Sequence, residues 1–107
     1  MQKPDTIRIV IADDHAVVRS GLRSFLRTFD DMELVGEASD GEEAITLCEQ
    51  RKPDVVLMDL MMPHVDGIAA IRAIRQTCPE THVVALTSFS ASDLVQEALQ
   101  AGATSYL

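Results

Sequence analysis

Two adjacent carboxylates close an apolar run in "IVIADDHAVV", where Asp13 and Asp14 follow directly on Ala12. A third acid, Asp59, closes another such run in "DVVLMD", and a hydroxyl, Thr87, closes a third in "VVALTSF". If the three run ends are neighbours in space, the acids repel one another, and a bound cation relieves that repulsion. Carboxylates are hard oxygen ligands, which select Mg²⁺ with several retained waters over zinc or copper. A hydroxyl beside such a cation and carboxylate suits the handling of a phosphoryl group. His15 and His64 lie close by in sequence, but a hard-cation cluster has little use for imidazole. They read as ordinary loop or helix-start residues with some influence on local charge.

Each residue taken singly also has a plain structural role. Asp14 can cap a following helix, Asp59 can start a turn, and a strand-end Thr is commonly structural. What argues for chemistry is the convergence, and convergence depends on the fold.

The runs Ile7 to Ala12, Val55 to Met58 and Val83 to Leu86 are short, β-branched and almost continuously apolar, as strands covered on both faces should be. "ELVGEA" differs: Glu33 and Glu37 share one parity, Leu34 and Ala38 the other, which predicts a half-exposed edge strand. "TSYL" at the end reads as the start of a fifth strand. Four helical patterns lie between. The first places Val18, Leu22, Phe25 and Phe29 on one face. The second opens at "SDGEE", with Asp40 as cap and Glu43 reaching back. The third carries Ile68, Ile71 and Ile74. The fourth has Leu94, Val95, Ala98 and Leu99, follows a capping box in "SASD" and stops at Gly102.

Strict alternation of strands and helices with short connections predicts an α/β fold, a parallel sheet wrapped on both faces. In the flavodoxin-like order 2-1-3-4-5 of a doubly wound five-stranded sheet, the ligand crevice lies between the carboxyl ends of the first and third strands. That is where Asp13, Asp14 and Asp59 fall. Residues 1–107 read as one domain, cut in or just after the fifth strand and so a fragment of something longer.

The formal charge of −8 opposes direct binding to nucleic acid or anionic lipid. No apolar stretch approaches the roughly 18 residues of a membrane span, and "MQKPDTIR" lacks the apolar core of a secretory signal, so a cytoplasmic location is expected. Cys48 and Cys78 have no partner at metal-like spacing and read as reduced residues of the core or its boundary.

Taken together, "DDH", "LMDLMMPHVDG", "ALTSF" and "AGATSYL" resemble the receiver domain of two-component response regulators across almost the whole chain. The "DDH…R.GL", "SDGEEA" and "LTSF" segments most resemble receivers joined to a LuxR-type helix-turn-helix output domain. The resemblance implies a CheY-like fold whose last helix lies beyond the sequence. It makes Asp59 the acceptor of a phosphoryl group from a sensor histidine kinase. Asp14, Asp59 and the main-chain carbonyl of Met61 would hold Mg²⁺ directly, with Asp13 acting mostly through water. Thr87 would bond the phosphoryl group, and Tyr106 would be the aromatic whose rotamer follows Thr87. The family's lysine would come two residues after Leu107. DNA would be contacted only through the separate output domain, no membrane is implied, and a homodimer stays open.

Smaller signals remain. Arg19, Arg23 and Arg27 recur every four residues as a basic stripe on the first helix, either a solvated flank or a kinase-docking surface. Met61 and Phe89, two residues beyond Asp59 and Thr87, either pack or shield a phosphoryl group from water. The main competing reading is an aspartate-nucleophile phosphohydrolase of the haloacid dehalogenase type. Such enzymes place a second acid two residues after the nucleophile, where this chain has Met61. A flavin or nucleotide module is weaker still, because "ADDHAVV" lacks a small-residue cradle for phosphate.

Overall fold

The computed structural model of the chain describes residues 6–60, 67–86 and 92–106. Among these residues five strands alternate with four helices: β1 (Ile7–Ala12), α1 (Ala16–Leu26), β2 (Met32–Ala38), α2 (Gly41–Arg51), β3 (Val55–Asp59), α3 (Gly67–Thr77), β4 (His82–Leu86), α4 (Ser92–Ala101) and β5 (Ser105–Tyr106). The sheet order is β2-β1-β3-β4-β5 and every pairing is parallel. This is the predicted doubly wound order.

Period-two burial explains why the central runs are apolar throughout. Val10, Ala12, Val56, Met58, Val83 and Ala85 face one side, in a cluster with Ala44, Cys48, Ala70, Ile71, Ile74 and Ala98 of α2, α3 and α4. Ile9 and Ile11 point the other way, toward Leu26 and the half-buried Leu22 of α1. Both faces exclude water near β1, so neither parity tolerates a polar residue there. Cys48 and Cys78 are free and buried, as expected.

The expected inner face of α1 is only partly correct. Leu22 and Leu26 pack on the sheet, whereas Val18 and Phe25 stay exposed, Phe25 at 59%, and Phe29 just past the helix is exposed too. The helix lies over β1 and β2, and that position brings Leu22 and Leu26 down while turning the larger stripe outward. Phe25 and Phe29 meet each other instead, edge to face with ring centres 5.1 Å apart.

β2 is the edge strand foreseen, but its alternation breaks. The pairing with β1 runs Ile9 to Leu34 and then Val10 to Gly36, so Val35 is an extra residue. Leu34 therefore joins the α1 side, and Val35 and Ala38 the α2 side. A β-carbon on Gly36 would also meet the Leu47 side chain of α2, at 3.3 Å. Leu34 and Ala38, expected on one face, stand on opposite faces because the extra residue shifts the phase between them.

Helix ends follow local chemistry. Asp40 caps α2 by accepting from the Glu43 amide at 2.8 Å, and the Glu43 carboxylate accepts from the Ser39 amide at 3.1 Å. Gly102 ends α4 at φ +120°, which suits glycine alone. The Ala103 amide donates to the Ala98 carbonyl and the Gly102 amide to that of Leu99, closing the last turn. The capping box expected before α4 begins at Ser90, outside the described residues.

Candidate functional site

Register places the acids. Ala12 pairs with Met58, so the residues that follow them, Asp13 and Asp59, leave adjacent parallel strands side by side at their carboxyl ends. Asp59 in turn pairs with Leu86, which Thr87 follows in sequence. Asp13 and Asp59 are 4% and 6% exposed, and Asp14 lies nearer solvent.

Ligand atoms of Asp13, Asp14, His15 and Asp59 all lie within 4.8 Å of one another. Three carboxylates so close form a donor set able to hold a divalent metal ion, and their oxygens match a hard one. Two of them come from the β1–α1 connection and the third from β3, so the set exists only when the strands pair.

The imidazole is closer to the acids than the sequence suggested. His15 Nδ1 lies 2.9 Å from Asp13 Oδ1, 3.1 Å from Asp14 Oδ1 and 3.9 Å from Asp59 Oδ2. The Asp13 hydrogen bond, and then the charges of Asp14 and Asp13, raise the His15 pKa above its usual range. The adjacency in "DDH" was the available signal, but adjacent residues do not disclose which way a ring turns.

Nor does Asp14 cap the helix. His15 occupies the cap position of α1, and its side chain makes no bond to the helix amides. Asp13 instead accepts from the His15 amide at 2.8 Å, fixing the turn into the helix. The Asp13 amide donates to the Ala38 carbonyl of β2 at 3.0 Å.

The basic stripe of α1 faces inward in part. Arg23 grips the Glu37 carboxylate with two bonds, at 2.8 and 3.0 Å. Arg19 places Nε 3.5 Å from the same carboxylate and donates through Nη1 to the Asp13 carbonyl. Arg27 alone of the three makes no ion pair among the described residues. Met61, Thr87, His64 and Phe89 lie outside the described residues. Tyr106 stands in β5 opposite Ala85.

A family model described as the response regulator receiver domain matches residues 9–107. The chain belongs to that family. The receiver is 56% identical over 100 residues to the uncharacterized transcriptional regulatory protein YhcZ of Bacillus subtilis, covering 94% of this chain and 47% of that protein. It is 46% identical over 101 residues to the transcriptional regulatory protein LiaR of the same organism, covering 94% of this chain and 48% of that one. The receiver thus spans about half the length of the curated relatives it matches. Among solved structures, the signal receiver domain of the putative response regulator NarL from Mycobacterium tuberculosis superposes with a TM-score of 0.92 at 36% identity, covering 97% of this chain and 84% of that one.

The receiver is thus of the LuxR/NarL type found in two-component response regulators. A haloacid dehalogenase-type phosphohydrolase finds no support in these similarities. Receiver domains are signalling switches rather than enzymes of the usual kind, and response regulator receivers partner with histidine kinases. No helix among the described residues is long and apolar enough to cross a membrane.

Proposed function

We propose that residues 1–107 form one phosphoacceptor domain in which Asp59 takes a phosphoryl group from a phosphohistidine on a sensor kinase. The observation that carries this reading is the meeting of Asp13, Asp14 and Asp59 at the tips of β1 and β3. One oxygen of Asp59 attacks phosphorus in line, the phosphorus–nitrogen bond breaks, and its electron pair leaves with the kinase imidazole. The product is an aspartyl phosphate.

Asp13, Asp14, Asp59 and the main-chain carbonyl of Met61 are the groups that would hold Mg²⁺. When bound, the ion offsets repulsion between the acids and the entering anion, and orients the group under attack. Asp13 is suited to a supporting role because its amide and side chain are already fixed by Ala38 and His15. Thr87 donates to a phosphoryl oxygen and Tyr106 follows its movement. The added charge and acceptors then bias a two-state surface built from α4 and β5.

LiaR and YhcZ are named transcriptional regulatory proteins, which supports a DNA-binding output domain as the element controlled. The setting is cytoplasmic, with a homodimer as one form of output. No sustained turnover is expected, because Met61 stands where a hydrolase of this chemistry needs an acid.

The test is labelling with acetyl phosphate. The chain should accept one phosphoryl group in the presence of Mg²⁺, and neither Asp59→Asn nor chelator-treated protein should accept any. Undiminished labelling of Asp59→Asn rejects the assignment.

A further inference from the structure

We infer that Glu37 and Arg19 form a latch that positions Asp13 and Asp14 for cation binding, so that the edge strand governs the affinity of the site. The inference rests on the reading of Asp13, Asp14 and Asp59 as the cation site and assigns that site two supporting residues. Arg19 reaches from α1 to the main-chain carbonyl of Asp13, and its Nε lies 3.5 Å from Glu37 Oε1. The Arg19 and Glu37 side chains are 21% and 26% exposed, so this contact is shielded from most of the solvent.

Asp13 is thereby held at every polar group it carries. Its amide donates to Ala38, its side chain accepts from the His15 amide, and its carbonyl accepts from Arg19. The side-chain bond to the His15 amide closes a ring through the peptide between Asp13 and Asp14 and already restrains it. The Arg19 bond holds the carbonyl of that same peptide, and the two bonds together set the direction in which the Asp14 carboxylate leaves the chain. Arg19 can do this only while its guanidinium is itself oriented, and Glu37 orients it.

The phase shift at Val35 makes the arrangement possible. An unbroken strand would turn Glu37 to the face of Val35, toward α2, but the extra residue places it beneath α1. Arg23 provides an internal control, since it bonds Glu37 through two nitrogens but makes no contact with the Asp13 carbonyl.

Long-range charge and positioning predict opposite results for one substitution. Arg19→Ala removes a positive charge near an acidic site, which by charge alone tightens Mg²⁺. By positioning, it loosens Mg²⁺ by about tenfold, the usual scale for lost outer support of a metal ligand. Calorimetric titration of the chain with MgCl₂ at constant ionic strength reads the difference. Arg19→Ala, Glu37→Gln and Arg19→Lys are all expected to weaken binding. The lysine variant keeps the charge but lacks the planar fork needed to reach both partners. Arg23→Ala is expected to bind as wild type does.

Tighter or unchanged binding by Arg19→Ala and Arg19→Lys overturns the latch, and so does an equal loss in Arg23→Ala. If Arg19→Ala does not fold by circular dichroism, Arg19→Lys and Glu37→Gln decide the matter in the same titration. Failure of the underlying site looks different: wild type then takes no Mg²⁺, or Asp14→Asn binds it unchanged.

Discussion

Gly67, the first residue of α3, stands against the main chain of Asp59: a β-carbon on it would lie 2.5 Å from the Asp59 carbonyl oxygen and 2.6 Å from Leu60 Cα. These are backbone atoms, which cannot swing aside as the end of a side chain can. Gly67→Ala must therefore move either the start of α3 or the tip of β3 that carries Asp59. The expected cost is about 1–3 kcal/mol in a urea titration, the scale of overpacking. Slower labelling by acetyl phosphate should accompany it. Wild-type values in both measurements would show that the helix yields without disturbing the strand.

Cys48 should be chemically silent while the protein is folded. Burial, followed by the charges of Cys78 and Glu49, pushes its thiol from an ordinary 9.0 up to about 12. The unfolded chain releases this proton above pH 9 and the folded chain keeps it until about 12. Folded stability is therefore complete below pH 9 and falls as pH rises between those values, by up to about 1.4 kcal/mol per pH unit. Cys48→Ala should flatten the alkaline arm of stability against pH relative to wild type, whatever it does to the maximum. An arm of unchanged steepness would contradict this.

The cap of α2 is a local and separable contribution. Asp40 satisfies the Glu43 amide, which has no partner within the helix. Asp40→Ala should cost about 1 kcal/mol, and Asp40→Asn or Asp40→Ser much less, by thermal or urea unfolding. Equal losses in all three would mean that the Asp40 charge, and not its bond, is what counts.

The two apolar stripes of α1 should respond unequally. Leu26 is buried against Ile9 and Ile11, and its truncation to Ala should cost about 2–5 kcal/mol. Phe25 touches Phe29 but little of the sheet, and Phe25→Ala should cost no more than about 1.5 kcal/mol. A larger loss at Phe25 than at Leu26 would reverse the orientation of the helix described above.

That comparison marks where hydropathy stops being informative. Ile7 to Ala12 and the runs of β3 and β4 were legible because burial on both faces leaves a continuous apolar stretch. The acids Asp13 and Asp59 were legible because polar residues at the ends of such stretches stand out, and the sheet order then places them together. The face of α1 was not, since Leu22 and Leu26 overlap a longer stripe of bulkier residues. Where the helix crosses the sheet decides between them. The ring of His15 and the inward turn of Arg19 and Arg23 depend on tertiary partners such as Glu37, distant in sequence. Residue spacing along one helix holds no trace of them.

The single surplus residue in β2 acts on the strand as a frameshift acts on a message. Excising Val35 would join the two halves in one unbroken register, with Leu34 still opposite Ile9 and Gly36 and Glu37 still opposite Val10 and Ile11. Met32, Leu34 and Glu37 would keep the α1 side, whereas pairing Val35 into the ladder without removing a residue would swing Glu37 to the α2 side, away from the two arginines that it holds. A rim strand far from any reacting atom therefore tolerates the loss of that one residue, because the count of paired positions, and not the length of the segment, decides which side Glu37 faces.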